Sequence, residues 1–342
     1  MAELPSTTRR TRRTRIVCIS DTHNSTVKLP KGDVLIHAGD LTNQGSYSEL
    51  SKAVQWLEKA DFEAKIVIAG NHDITLDADF YREHGARFHN QRPEDLAQCQ
   101  SLLTSSRSIT YLLNSSATIR LTRPDGPGTI FTVFGSPYSP EYGTWAFMYP
   151  QSAHEPSAPG SDSAAEVVPT AGDLWAAIPL STDILVTHTP AYGHCDDSHG
   201  CYELRRALAR VRPRLHVCGH VHQGRGAERV KWDTDSLRSG DGTIAVEASV
   251  EAWVDPSPDP ASAKISLVDL TARRGNPPLD FDDPESVSSE RACPGQGTTT
   301  GRVGRKETCI VNCAIVSTSW PHKGGKRFNK PIVVDLDLPV WR

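Results

Sequence analysis

The 342-residue chain contains no apolar run of about 18 residues and no short apolar stretch of the signal-peptide kind. That excludes a membrane-spanning helix and argues against secretion. None of its eight cysteines forms a CxxC pair. Without a secretory signal, scattered cysteines fit a reducing, cytoplasmic location better than a disulfide framework. Cys18 and Cys218 sit inside apolar runs, where a thiol behaves as a small hydrophobe. There is no large charge excess either. With 37 Lys and Arg against 41 Asp and Glu, the formal charge is −4, so nucleic acid is not an expected partner and neither is a membrane. Internal repeats are lacking too.

What is present fits an ordinary globular protein. Hydrophobic residues make up 37% and charged residues 23%, and the length is ample for a deep core. One basic run, RRTRRTR (9–15), stands in a polar N-terminus. No apolar face accompanies it, so residues 1–14 read as a basic flexible tail, ahead of a nucleic-acid arm or a transit peptide.

From residue 15 onward the pattern alternates between strands and helices. TRIVCIS (14–20), GDVLIHAGD (32–40) and AKIVIAGNHD (64–73) are short apolar runs that end in polar residues. Between the last two, SYSELSKAVQWLEKA (46–60) sets Leu50, Val54 and Leu57 at helical spacing. This order predicts an α/β layered sheet with right-handed crossovers. Further strands are expected at 129–136, 183–189, 214–220, 242–249, 308–316 and 331–338, with a helix over 201–211. Two stretches rich in Pro, Ser, Gly and Asp, about 150–172 and 255–306, read as mobile surface insertions without a core. The rest, 15–342, reads as one domain.

The informative residues follow the strands. Asp21 and His23 come after the first, Asp40 after the second, and Asn71, His72 and Asp73 after the third. His188 follows ILVT, and HVCGHVHQGRG (216–226) supplies His220 and His222. In open α/β sheets, ligands bind outside the carboxyl ends of the strands, where such loops meet. Carboxylate, imidazole and amide oxygen without thiolate suit Mn, Fe, Zn or Mg. Seven ligands are too many for one ion and about right for two sharing a carboxylate. Each motif alone has a bland explanation: an isolated Asp-x-His is cheap, Asp40 alone could be a helix cap, and a lone histidine after a strand is usually a satisfied core residue. Five in order, each at a strand end, are a different matter.

Asp21-x-His23, Gly39-Asp40, Gly70-Asn71-His72-Asp73, Thr187-His188 and Gly219-His220-Val221-His222 resemble the five signature blocks of the calcineurin-like metallophosphoesterase superfamily. Longer stretches, such as GDVLIHAGDLTNQGS and DILVTHTPAYGHCD, are similar to the group called metallophosphoesterase domain-containing proteins. The resemblance covers most of 14–250. It implies two mixed β-sheets packed face to face with helices outside, and a two-metal phosphoester hydrolase. It assigns Asp21, His23 and His222 to one metal, Asn71, His188 and His220 to the other, and Asp40 to both. His72 becomes the acid for the leaving oxygen. The block GDLTNQG (39–45) departs from the phosphoprotein phosphatases, with Asn43 and Gln44 where those enzymes place Asp and Arg. The departure points to a phosphodiester or other small-molecule, nucleotide-like substrate, and makes Asn43 and Arg225 candidate substrate contacts. Two other readings stay open: non-phosphoester redox or rearrangement chemistry on a small metabolite, and a metal-binding scaffold with little turnover.

Overall fold

The computed structural model describes residues 10–150, 170–234, 245–274, 305–318, 322 and 324–341. Its strands are β1 (Thr11–Ile19), β2 (Val34–Ala38), β3 (Ala64–Ile68), β4 (Thr110–Tyr111), β5 (Ser115–Arg120), β6 (Ile130–Ser136), β7 (Ser139–Pro140), β8 (Met148–Tyr149), β9 (Ile184–Thr187), β10 (Leu215–Cys218), β11 (Gly226–Asp233), β12 (Val246–Ala252), β13 (Ser266–Leu270), β14 (Glu307–Asn312) and β15 (Ile332–Pro339). The helices are α1 (Tyr47–Lys59), α2 (Ala78–His84), α3 (Leu96–Thr104), α4 (Ala171–Ala176) and α5 (Tyr202–Val211).

Two mixed sheets carry the fold. One has the order β13-β15-β1-β2-β3-β4 and the other β12-β11-β14-β10-β9-β6-β5. The alternation of side chains along a strand divides the core into layers. On β1, Ile16 and Cys18 meet Val186 of β9 and Val217 of β10 in an apolar layer between the sheets. The intervening Val17 and Ile19 face outward, onto Leu50, Val54 and Leu57 of α1. On the far sheet Leu185 turns away from the shared layer to pack with Leu204 and Leu208 of α5. Helix α1 starts where expected because Ser46 and Glu49 cap each other's backbone N–H groups. Among the described residues, no helix is long and apolar enough to cross a membrane. The seven described cysteines are free thiols.

Two expected boundaries are corrected. Residues 11–14 are not tail: they belong to β1, which pairs antiparallel with β15 from Thr11↔Pro339 to Cys18↔Ile332. The basic side chains hid this strand, because Arg13 and Arg15 gain a partner, Asp335, only once β15 lies alongside. Residues 255–306 are not wholly a coreless insertion. Within them β13 pairs in parallel with β15 and buries Val268 and Leu270. The remainder of that stretch, 275–304, lies outside the described residues, as do 1–9 and 151–169 of the other expected mobile segments.

Candidate metal centre

The strands β1, β2, β3, β9 and β10 are mutually parallel within their sheets, so their carboxyl ends open toward one edge. Backbone bonding continues past the strand ends and fixes the loops against one another. Asp21 N–H donates to Gly39 O, and His23 N–H to Asp40 O. Gly219 N–H donates to His188 O in the other sheet. A bridge between Ser20 and Ala314 then joins the two sheets at this edge.

Asp21, His23, Asp40 and His220 all have left-handed backbone, with φ between 43° and 65°. Non-glycine residues adopt that region at a cost, and several together mark a constrained site. The turn points the side chains inward rather than along the strand. Gly219, beside His220, is required for space: a Cβ there would collide with the Ser20 hydroxyl and the Asp21 carboxylate.

All seven candidate ligands converge. Asp21, His23 and His222 offer donor atoms within 4.8 Å of one another, and so do Asp21, Asp40 and His188. Asn71 Oδ1 lies 2.9 Å from both His188 Nε2 and His220 Nδ1. Asp40 Oδ2 lies between the sets, 3.6 Å from His23 Nε2 and 3.4 Å from His188 Nε2. The histidines are aimed by their other ring nitrogens, each facing a backbone carbonyl: His23 faces Thr42, His188 faces Ala38 and His222 faces Thr318. This is the usual bracing of a metal-binding imidazole.

The electrostatics follow from burial and the two carboxylates. Burial alone would raise Asp21, but the hydrogen bond and charge of His222 bring it down to about 2. Asp40 is likewise buried and is held well below the usual carboxylate range by His188 and His72. Burial lowers His23 to about 4 and His220 to about 3, so both rings are neutral at pH 7. Burial also opposes protonation of His188, yet the Asp40 carboxylate raises it to about 9. The field that draws a proton onto His188 would also favour a metal cation. Imidazoles, carboxylates and an amide oxygen in this geometry fit a metal pair.

His72 stands at the mouth. Its backbone N–H donates to Asp40 Oδ1 at 2.8 Å, and its ring Nδ1 donates to the backbone carbonyl of Asn43, also at 2.8 Å. The partner is thus a main-chain oxygen, not the Asn43 side chain, which is exposed. On one face Trp145 covers the ring, with centroids 3.9 Å apart. Arg225 is not part of the cluster's hydrogen bonding. Its guanidinium is engaged with Asp255, Ser266 and the Lys330 carbonyl.

Sequence reasoning gave no role to three contributors. Asp73 is fully buried and accepts from the N–H groups of Gly70, Leu41 and Thr42, tying the β2 and β3 loops together. Its signal was its place in GNHD, one residue after His72. Trp145 gave none beyond being aromatic. Thr318 lies almost a hundred residues from His222 in a stretch with no motif.

With the geometry in place, comparison with known proteins is informative. The calcineurin-like phosphoesterase model matches residues 14–224. The chain belongs to that family. Metallophosphoesterase domain-containing protein 1 of Homo sapiens is 37% identical over 229 residues, covering 62% of this chain and 62% of that protein. A UPF0046 protein of Caenorhabditis elegans is 34% identical over 218 residues, covering 62% and 64%. "Probable rhamnogalacturonate lyase C" of Emericella nidulans is 43% identical over 222 residues, 64% of this chain but only 18% of that protein. The chain therefore spans less than two thirds of each of these relatives.

Proposed function

We propose that the chain is a two-metal hydrolase of phosphoesters, acting on diesters of small, nucleotide-like molecules. The observation that carries this reading is the position of Asp40, whose one carboxylate oxygen lies within 3.6 Å of nitrogens from both ligand sets. On this reading Asp21, His23 and His222 hold one ion, Asn71, His188 and His220 hold the second, and Asp40 serves both. Bound there, two ions such as Mn, Fe, Zn or Mg supply Lewis-acid stabilisation of the phosphoryl charge and a nucleophile at neutral pH.

The protein's own groups do the rest. A P–O bond to water's oxygen forms as the ester P–O bond breaks. The leaving oxygen needs a proton, and His72 is placed to give it. Because Asn43 O can only accept, Nδ1 carries the hydrogen of that bond, and Nε2 is the atom left to exchange a proton. Trp145 and the Asn43 carbonyl together keep the ring from rotating. The preference for diesters rests on the GDLTNQG block, which offers Gln44 in place of an arginine that would grip a dianionic monoester. The lyase name is not carried over, since the shared stretch is a small part of that relative.

The test is metal analysis beside activity. Protein loaded separately with each metal should bind about two equivalents and hydrolyse bis(p-nitrophenyl) phosphate faster than p-nitrophenyl phosphate. Asp40→Asn should weaken both sites, because the shared charge is lost. One equivalent or fewer, unchanged by that substitution, would overturn the two-metal reading.

A further inference from the structure

The strand β14 runs parallel to β10, and β15 runs antiparallel to β1. The connection between them therefore leaves one sheet and enters the other at the edge where the cluster lies. Its first arm is bonded along the first ligand loop: Ile315 N–H donates to Ser20 O, and Val316 N–H to Asp21 O. The returning arm is held to the first by Ser317 N–H to Arg327 O, Asn329 N–H to Ile315 O and a bridge between Val316 and Phe328. This places three side-chain or carbonyl groups on the cluster's flank. Thr318 O faces His222 Nδ1 at 3.3 Å, Thr318 Oγ1 bonds His322 Nδ1 at 2.9 Å, and Lys326 Nζ donates to His23 O at 3.1 Å.

We propose that Lys326 forms a cationic subsite that takes a second anionic group of the substrate, next to the scissile phosphoester. This rests on the phosphoesterase reading and adds to it a substrate preference. The ammonium is half-buried against a ligand residue, and one recorded hydrogen bond leaves it two further donors. Among the described residues no carboxylate lies within ion-pair distance of it, the nearest influence being the charge of Glu49. The two remaining N–H groups are free to meet a substrate anion. The loop lies outside residues 14–224, the stretch that the family model matches.

Methyl phosphate and phosphoglycolate, which differ by one carboxylate, probe the subsite. Their binding to metal-loaded protein can be read by thermal shift or calorimetry without turnover. Phosphoglycolate should bind the wild type more tightly. Lys326→Gln should weaken phosphoglycolate about 10- to 100-fold, as expected for a charge-assisted hydrogen bond, while leaving methyl phosphate and metal content unchanged. Lys326→Arg should restore much of the loss. Arg327→Gln removes an equal charge from the same loop and should have little effect. The proposal is overturned if the two probes bind alike, if Arg327→Gln matches Lys326→Gln, or if Lys326→Gln loses metal and so acts only as a brace for His23. Absence of phosphoester turnover by wild type would instead count against the hydrolase reading, since binding of the two probes is measured separately.

Discussion

His72 and its neighbours show how one short block can divide its work. Asn71 points its amide oxygen at two histidines, His72 turns its ring outward under Trp145, and Asp73 turns back to hold the loops. His72→Ala should keep both metals and lose about 10²–10⁴-fold in rate on substrates with poor leaving groups, the usual size of general acid catalysis. Nitrophenyl esters should lose less, since their leaving groups need little protonation. His220→Ala and His222→Ala should instead each lose one ion and fail on both kinds of substrate. Metal content measured beside rate decides it: if His72→Ala sheds metal as His222→Ala does, the division of labour is wrong. That the seven candidate positions would meet was legible because each follows an apolar run, and strand ends are easy to recognise. The partners of Arg225 were not legible, because proximity in sequence to GHVH says nothing of a side chain that an Asp thirty residues later can engage. His72's partner was hidden for another reason: every residue has a backbone carbonyl, so sequence cannot announce which one will be used.

At the scale of elements, apolar strands and the capped helix α1 were visible, whereas strands built from paired charges were not. The strand β11 reads GAERVKWD and offers no apolar run. It buries Ala227, Val230 and Trp232, while Arg229 meets Glu307 of β14 and Glu228 meets His194, partners distant in sequence. The strand β13 was passed over for another reason: SLVDL is short and set among Pro, Ser and Asp, though Val268 and Leu270 are buried; Leu270→Ala should cost about 2–5 kcal/mol, as for other buried leucines, and denaturant unfolding with no such loss would return that segment to the status of a loop. The charged cluster also predicts a pH dependence. His194 has Glu228 at 3.0 Å from one ring nitrogen and Glu247 at 3.1 Å from the other. Burial opposes its charge, but these bonds raise it to about 9. A raised histidine stabilises the fold fully below its unfolded value, about 6.5, and loses that contribution as pH climbs through 9. Thermal unfolding followed from pH 6 to 10 should show wild type falling toward His194→Gln. A constant gap between the two would rule out titration of this ring as the cause.

Across the whole molecule, the last strands are the ones that close it. The strand β15 lies between β13 and β1, and β14 lies between β11 and β10, so each sheet has a C-terminal strand in its interior. The stretch that the family model matches ends at residue 224, before both. All five signature blocks are nevertheless inside it, which makes 14–224 look sufficient in sequence. The structure argues otherwise. Removing everything after residue 234 would strip β1 of its eight-residue pairing with β15 and β10 of its pairing with β14. It would expose Ile16, Cys18 and Val217 of the shared layer, where Val334, Leu336 and Val311 belong. Buried groups of that size contribute about 1.5–3 kcal/mol each, against total stabilities of about 5–15 kcal/mol, so the loss is comparable with the whole stability of a domain. It would also remove Thr318 O from His222 and the bridge that joins the sheets at Ser20. A fragment ending at 234 should therefore lack near-ultraviolet circular dichroism, unfold without a cooperative transition and bind fewer than two metal equivalents, although it retains every candidate ligand. Cooperative unfolding of that fragment with both metals bound would show that the strands after 234 are an addition to the fold and not part of its foundation.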